Sequence, residues 1–272
     1  MTCDDFFGGM TMELGLAGKT ALVAASSQGL GKAIARALVL EGANVMITSR
    51  SEEKLQQVAE ELNGLHKGRV AYVRTDVTKA DEIRQLVAKT VETFGTIDLL
   101  VNNAGGPPAG TFETVSDEDW QYAFELNLLS YIRLIREALP YLKKKGGKIV
   151  NITSSSIKEP IPGLILSNTF RTGIVGLTKT LAGELAPDGI LINTVAPGRI
   201  ATERVAFLDK VNAEKLGITK EEMEARMKSA IPLGRYGTPE EFANIVVFLL
   251  SEANSYVTGQ ALIVDGGMVK AI

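Results

Sequence analysis

The feature that most constrains the fold is an alternation of two kinds of segment along the chain. Short apolar runs rich in β-branched residues recur between longer stretches whose apolar residues return with a helical period. The short runs predict buried strands over residues 20–25, 44–49, 70–74, 97–102, 148–153, 190–195 and 261–264. The longer stretches predict helices over residues 31–41, 52–62, 79–94, 117–145, 171–185 and 239–250.

Strand and helix alternating in this way require right-handed crossovers and a parallel sheet that helices cover on both faces. We therefore predict a single doubly wound α/β domain with seven strands over residues 13–272, preceded by a short N-terminal extension, 1–12. No Pro-, Ser- or charge-rich linker and no internal repeat interrupts it. Residues 199–235, after the sixth strand, are predicted to form a helical insertion beside the ligand crevice. It is interpreted as a lid, with a plain surface insertion as the alternative.

The scarcity of histidine and cysteine excludes several chemistries. The chain has one of each, Cys3 and His66, so neither a structural zinc site nor an internal disulfide is expected. Cys3 lies in a short polar tail, and His66 lies in a loop by composition. A Cys–His pair or a Ser–His–Asp triad is therefore disfavoured, because both need precise mutual geometry.

Charge and hydropathy narrow the class of partner. The 29 basic and 32 acidic residues give a formal net charge of −3, which argues against a nucleic-acid partner. The one run of three basic residues, 143–145, is interpreted as cations at a helix C-terminus. No apolar run approaches the ~18 residues that span a bilayer, and no secretory signal is evident. We expect no membrane partner and a cytoplasmic location.

The loop after the first predicted strand suits a nucleotide. It reads Ala24-Ala25-Ser26-Ser27-Gln28-Gly29-Leu30-Gly31 and leads into a helix. Glycine at such a junction lets a diphosphate approach the backbone N–H groups at the positive end of the helix dipole. After the second strand, Arg50 stands between two serines, where an acidic residue would grip ribose hydroxyls and an arginine suits a 2′-phosphate. The residues therefore favour NADP(H) over NAD(H).

Several ordered motifs give the chain a specific likeness: Asp76-Val77, Asn102-Asn103-Ala104-Gly105, Asn127, Ser154, Pro197-Gly198-Arg199-Ile200-Ala201-Thr202 and Asp265-Gly266-Gly267. With these motifs the chain from Leu14 onward resembles the short-chain dehydrogenase/reductase family, in particular its 3-oxoacyl carrier-protein reductase-like branch. The resemblance implies a Rossmann-type fold and an oxidoreductase that interconverts a small-molecule carbonyl and an alcohol. It also implies a homodimer or homotetramer.

The glycine loop and the resemblance together define a predicted cofactor site. Its residues are Ala25, Ser27, Gln28, Gly29, Leu30, Gly31, Ser49, Arg50, Asp76, Val77, Asn103, Ala104, Gly105, Arg171, Pro197, Gly198, Ile200 and Thr202. The predicted catalytic residues are Asn127, Ser154, Ser167 and Arg171.

Two departures from the family pattern matter. The family's glycine loop begins Thr-Gly, where this chain has Ala24 and Ala25; an alanine keeps the turn if its φ is negative, so cofactor binding is expected to survive. The family's active site uses a Tyr-x-x-x-Lys pair, and alignment from the family-like segment 176–182 places Ser167 and Arg171 there. No tyrosine occurs between Tyr141 and Tyr236 that a register shift could recruit.

These substitutions leave three hypotheses. In the first, Ser154 and Ser167 orient a carbonyl, Arg171 stabilises the oxyanion, and a water near Asn127 supplies the proton, because arginine stays charged and cannot relay one. In the second, Arg171 pairs with a substrate carboxylate or phosphate. In the third, the chain is a non-catalytic NADP-binding scaffold or redox sensor. Ser167 is also a candidate helix cap, and Glu159, Glu203 and Arg204 are further candidates near the substrate.

Overall fold

The computed structural model describes residues 12–271, and its centre is one parallel sheet with the strand order β3-β2-β1-β4-β5-β6-β7. The strands are β1 Thr20–Val23, β2 Asn44–Ser49, β3 Val70–Arg74, β4 Leu99–Asn102, β5 Lys148–Ile152, β6 Leu191–Pro197 and β7 Ala261–Val264. The predicted seven-stranded α/β fold is confirmed. Cys3 and most of the extension 1–12 lie outside the described residues.

Helices follow the strands in the predicted order. They are α1 Gly29–Leu40, α2 Glu52–Asn63, α3 Ala80–Phe94, α4 Asp117–Phe124, α5 Ser130–Leu142, α6 Ile165–Leu185, α7 Glu203–Leu216, α8 Lys220–Ser229 and α9 Pro239–Leu250. Within the described part of the chain, none of these helices is long and apolar enough to cross a membrane.

Two apolar layers hold the sheet. One layer buries the inner faces of α1, α2 and α9, and the other buries those of α3, α5 and α6. Because apolar side chains point from the strands to both faces, the strands β1, β2 and β4 are almost entirely buried. The strand order reverses between β1 and β4, so the loops after these strands separate and open a crevice at the carboxyl edge.

The long predicted helix 117–145 is divided in the structure. A π-helical turn, Glu125–Leu129, separates α4 from α5, and α5 ends at Leu142. Asn127 lies in this turn and its amide nitrogen donates to the Gly105 carbonyl oxygen at 2.9 Å. The turn therefore directs a buried amide toward the loop after β4, which a continuous helical period could not indicate.

Helix α6 begins earlier than predicted, which corrects one hypothesis about Ser167. The N-cap is Leu164, so Ser167 is the third residue of the helix and not its cap. The Asn168 side chain makes hydrogen bonds of 3.2 and 3.0 Å to the N–H and carbonyl oxygen of Ile161. These hydrogen bonds stabilise the first turn of α6, although residues 165–170 have low helix propensity.

The insertion 199–235 contains α7 and α8, as predicted. It is fixed to the domain through Asp209, whose carboxylate is buried. Arg199 forms an ion pair with this carboxylate, and the Tyr236 hydroxyl donates to it at 2.7 Å. Burial and the neighbouring Asp209 charge raise the pKa of Tyr236, so the phenol remains a donor to this anchor.

Candidate active site

A cavity of about 540 Å³ opens at the carboxyl edge of the sheet, between the loops that follow β1, β4, β5 and β6. It is lined by predicted site residues from both ends of the chain: Ala25, Ser27, Gln28, Gly29, Leu30, Ser49, Arg50, Asp76, Val77, Asn103, Ala104, Gly105, Ser154, Ser167, Arg171, Pro197, Gly198, Ile200 and Thr202. Most of the residues predicted from the sequence therefore lie together at the edge where the crevice forms.

Two predicted site residues lie beneath the cavity instead of lining it. Gly31 is buried under the glycine loop, and a Cβ there would overlap with the carbonyl oxygen of Ala25. Asn127 is completely buried, and the Oδ1 atom of its side chain has no hydrogen-bond partner among the described residues. Gly31 thus permits close packing of the loop on α1, and Asn127 contacts the cavity wall through Gly105.

The glycine loop leaves the start of α1 open. The N-cap Gln28 makes no side-chain capping bond and the first turn contains no acidic residue, so backbone N–H groups and the positive end of the helix dipole face the cavity. Gly29 has a left-handed φ of +56°. Ala25 also has a left-handed φ, +48°, so the condition of a negative φ is not met at this position. The loop imposes this conformation because both neighbouring residues, Ala24 and Ser26, are tied by backbone bonds to adjacent strands.

The end of the cavity beyond β2 is basic. Arg50 is exposed at its edge, and Lys54, in the first turn of α2, lines the same wall. The Lys54 ammonium donates to the Gln28 side-chain oxygen at 2.8 Å, which ties this end to the glycine loop. Lys54 was missed in the sequence, although its position four residues after Arg50 in a predicted helix was the available signal.

The opposite end of the cavity holds the predicted catalytic cluster. Ser154 lies in the loop that follows β5. Ser167 and Arg171 lie one turn apart on α6, and each of these two is only 7% exposed. The Arg171 guanidinium donates from Nε to the Ser167 hydroxyl oxygen and from Nη1 to the Ile152 carbonyl oxygen, both at 3.2 Å. The two serines are therefore accompanied by a fixed positive charge.

Tyr131 is a buried neighbour of this cluster that the sequence did not reveal. It is 1% exposed, and its hydroxyl donates at 2.7 Å to the same Ile152 carbonyl oxygen that Arg171 uses. Burial raises the pKa of Tyr131, and the adjacent Arg171 charge opposes that effect. Tyr131 is therefore a neutral phenol that shares its hydrogen-bond acceptor with Arg171. It lies one helical turn after Asn127.

The other candidates are distributed differently. Glu159 accepts hydrogen bonds from the backbone N–H groups of Lys270 and Ala271, at 2.7 and 2.9 Å, and so ties down the C-terminal segment. Glu203 and Arg204 both line the cavity. His66 is exposed in a loop, and residues 12–271 contain no group of three or more histidine, cysteine or acidic side chains arranged for a metal.

Sequence comparison agrees with this geometry. The family model described as enoyl-(acyl carrier protein) reductase matches residues 24–269. The 3-oxoacyl-[acyl-carrier-protein] reductase FabG of Aquifex aeolicus is 38% identical over 94% of this chain and 100% of its own length. The chain belongs to the short-chain dehydrogenase/reductase family. The human dehydrogenase/reductase SDR family member 4 is also 38% identical, over 95% of this chain and 90% of its own.

A solved family member has the same fold. L-sorbose reductase from Gluconobacter frateurii, crystallised with NADPH and L-sorbose, superposes with a TM-score of 0.91 at 32% identity, covering 96% of this chain and 100% of its own. These relatives are reductases of carbonyl groups, so this short-chain dehydrogenase/reductase is an enzyme of the oxidoreductase class.

Proposed function

We propose that the protein is an NADP(H)-dependent oxidoreductase that interconverts a small-molecule carbonyl and an alcohol, with an atypical proton-transfer site. One observation supports this most directly. A single cavity joins an open helix N-terminus and a basic edge, which suit a dinucleotide, to the polar cluster of Ser154, Ser167 and Arg171. A cofactor and a substrate could therefore meet inside it.

The residues present fit a dinucleotide. The uncapped N–H groups at the start of α1 offer a site for a diphosphate, and Gly29 keeps the loop free of side chains there. Asn103, whose side-chain nitrogen donates at 3.2 Å to the Ala25 carbonyl oxygen, holds the loops after β1 and β4 together. Pro197 and Thr202 would border the nicotinamide end.

The preference for NADP(H) is supported by charge. Arg50 and Lys54 are two cations on the cavity wall where the adenosine ribose would lie. The 2′-phosphate of NADP(H) would pair with them. The relative L-sorbose reductase is described in complex with NADPH. NADPH is therefore expected to bind this protein more tightly than NADH.

A bound reduced nicotinamide would supply the hydride. In the proposed mechanism the Ser154 and Ser167 hydroxyls donate to the substrate oxygen and orient the carbonyl carbon. Arg171 stabilises the oxyanion as it develops, because its charge is fixed by Ile152 and Ser167 before substrate arrives. The proton comes from water. The Asn127 Oδ1, which has no hydrogen-bond partner within residues 12–271, is a buried acceptor that can hold a water molecule.

A site without a titrating tyrosine is expected to be slow. Loss of a positioned general acid typically removes ~10² to 10⁴ in rate, whereas orientation and hydride donation survive. Ser167 and Arg171 are four residues apart on one face of α6 and joined by a hydrogen bond, which is the spacing of the family's Tyr-x-x-x-Lys pair. We therefore propose that they replace that pair.

Restoration tests this proposal. Ser167→Tyr combined with Arg171→Lys should raise NADPH-dependent turnover of a small ketone by ~10² or more, since a general acid is regained. Thr172→Ser, on the exposed side of α6, is the matched control and should leave turnover unchanged. No gain in turnover in a double variant that still binds NADPH would contradict the proposed correspondence.

A binding measurement combined with an activity screen distinguishes the enzyme from the non-catalytic scaffold. One observation favours that alternative: Arg171 holds its hydrogen bonds to Ser167 and Ile152 and cannot release a proton. Trp120 packs edge-on against Phe170, the residue before Arg171, with ring centroids 5.6 Å apart. Its fluorescence should therefore report NADPH binding. A scaffold would show this change while a broad panel of ketones and alcohols left the cofactor unoxidised and unreduced.

We also propose that the protein forms a homodimer or homotetramer. The exposed face of α6 carries Gly176 and Gly183, where an added Cβ would meet no atom of this chain. A flat helix face of this kind allows close approach of a second copy. Light scattering on the purified protein would measure the number of subunits.

A further inference from the structure

A second arginine, Arg204, lies in the first turn of α7 and lines the same cavity as Arg171. Its side chain extends from the insertion toward the loop after β4. The Nη2 atom lies 3.0 Å from the point where a Cβ on Gly106 would stand, so the absence of a side chain at Gly106 makes room for the guanidinium. Arg204 is therefore an exposed side chain at the rim of the cavity, beside the loop after β4.

Neither Arg171 nor Arg204 has a carboxylate partner among the described residues. Within residues 12–271, the arginines Arg199 and Arg235 form ion pairs with Asp209 and Glu241, whereas no ion pair involves Arg171 or Arg204. Glu203 lines the cavity but pairs with neither. The Arg204 guanidinium makes a cation–π contact with the Phe207 ring, with 6.0 Å between Cζ and the ring centroid. Besides Arg50 at the cofactor edge, the cavity is thus lined by two guanidinium groups, those of Arg171 and Arg204, that form no ion pair within residues 12–271.

The charge of Arg171 acts on Arg204. Loss of solvent contact lowers the pKa of Arg204, and the positive charge of Arg171 lowers it further. An oxyanion beside Arg204 would offset both effects, because a guanidinium presents paired donors to a carboxylate or phosphate. Arg171 keeps Nη2 for the developing oxyanion, since its hydrogen bonds within the described residues use Nε and Nη1.

We propose that Arg204 binds an anionic group of the substrate while Arg171 faces the reacting oxygen, so that the preferred carbonyl compounds carry a carboxylate or a phosphate. This inference rests on the proposed function for the reacting end of the same cavity. The cofactor's own phosphates are assigned elsewhere, to the start of α1 and to the Arg50 edge. The Arg204 guanidinium lies beside Gly106 instead.

Matched substrate pairs test the proposal. Acetoacetate is compared with its methyl ester, and dihydroxyacetone phosphate with dihydroxyacetone; the two pairs distinguish a carboxylate from a phosphate. Arg204→Gln should lower kcat/KM for the charged member of one pair by about 10- to 100-fold, the effect of losing a charge-assisted hydrogen bond. The neutral member should be unaffected. Lys210→Gln, on the exposed side of α7, is the control and should change neither.

Two outcomes would overturn the inference. An equal loss for charged and neutral ketones would mean that Arg204 only shapes the cavity. A weaker NADPH affinity in Arg204→Gln, measured by Trp120 fluorescence, would assign the residue to the cofactor.

A binding measurement distinguishes failure of the Arg204 inference from failure of the proposed function. If no ketone is reduced by the wild-type protein, the proposed function fails, and calorimetric titration with malonate and with inorganic phosphate still tests the anion site. The proposal expects saturable binding of one of these anions, weakened about tenfold or more in Arg204→Gln, as expected for one charge-assisted bond. Equal binding by the two proteins would refute it.

Discussion

The left-handed conformation of Ala25 leads to a prediction about stability. Its φ of +48° places the Cβ close to the following carbonyl oxygen, at a cost of about 1–2 kcal/mol for an L-residue. Glycine avoids this cost but loses about 0.5–1 kcal/mol more in backbone entropy on folding. The difference predicts that Ala25→Gly raises the free energy of unfolding by about 1 kcal/mol, or Tm by about 2–4 °C for a domain of this size.

Urea unfolding followed by Trp120 fluorescence would measure this change. The adjacent Ala24 provides the control, because it is fully buried and lacks a positive φ. Ala24→Gly removes a buried methyl group and adds chain entropy, so it should lower stability by about 1–2 kcal/mol. If Ala25→Gly destabilises the protein as Ala24→Gly does, then Ala25 is not strained and the reasoning is wrong.

Three further predictions concern the cofactor edge, the insertion and acid stability. Arg50→Ala should weaken NADPH binding about tenfold, as for one charge-assisted hydrogen bond, and leave NADH binding unchanged in a fluorescence titration; an equal effect on both would contradict the 2′-phosphate assignment. Asp209→Ala should expose segment 199–235 to limited proteolysis, because Arg199 and Tyr236 lose their shared acceptor; cleavage as slow as in wild type would count against this anchor. Hydrogen bonding to Arg235 lowers the pKa of Glu241 to about 2, so its ionised form stabilises the fold above its ordinary pKa, and that contribution is lost as pH falls toward 2. Glu241→Gln should therefore be less stable than wild type at pH 7, with a difference in urea midpoint that shrinks below pH 4.5; a constant difference would refute this.

The elements that were well predicted are those set by local pattern. The runs that became β2, β3 and β7 and helix α9 matched to the residue, because buried strands and an apolar helix face leave a period in the sequence. The carboxyl edge of such a sheet then determines where loops gather. Most predicted site residues consequently line one cavity.

What could not be predicted depends on tertiary contacts. The start of α6 is held by Asn168 and Ile161, which no helical period records. Glu159 follows Ser154 closely in the chain, yet it binds the C-terminal backbone. Tyr131 reads as an ordinary apolar-face residue, and only the fold brings it against the carbonyl oxygen that Arg171 shares.

The backbone of the glycine loop is a further case. An alanine at position 25 gives no sign of a left-handed φ, because its propensity argues for the opposite. The conformation follows from the hydrogen bonds of Ala24 to Val101 and of Ser26 to Thr48, which fix the chain on both sides. The sequence therefore predicts a nucleotide site at this loop but gives no sign of the strained backbone at Ala25.

The most direct test of the proposed function is isotope transfer from the cofactor. The protein is incubated with NADPH deuterated at C4 and with the charged and neutral ketones named above, and the alcohol products are analysed by mass spectrometry. The proposal predicts deuterium on the former carbonyl carbon, with no incorporation when Ser154 and Ser167 are both changed to alanine. Saturable NADPH binding with no labelled alcohol from any ketone would contradict it.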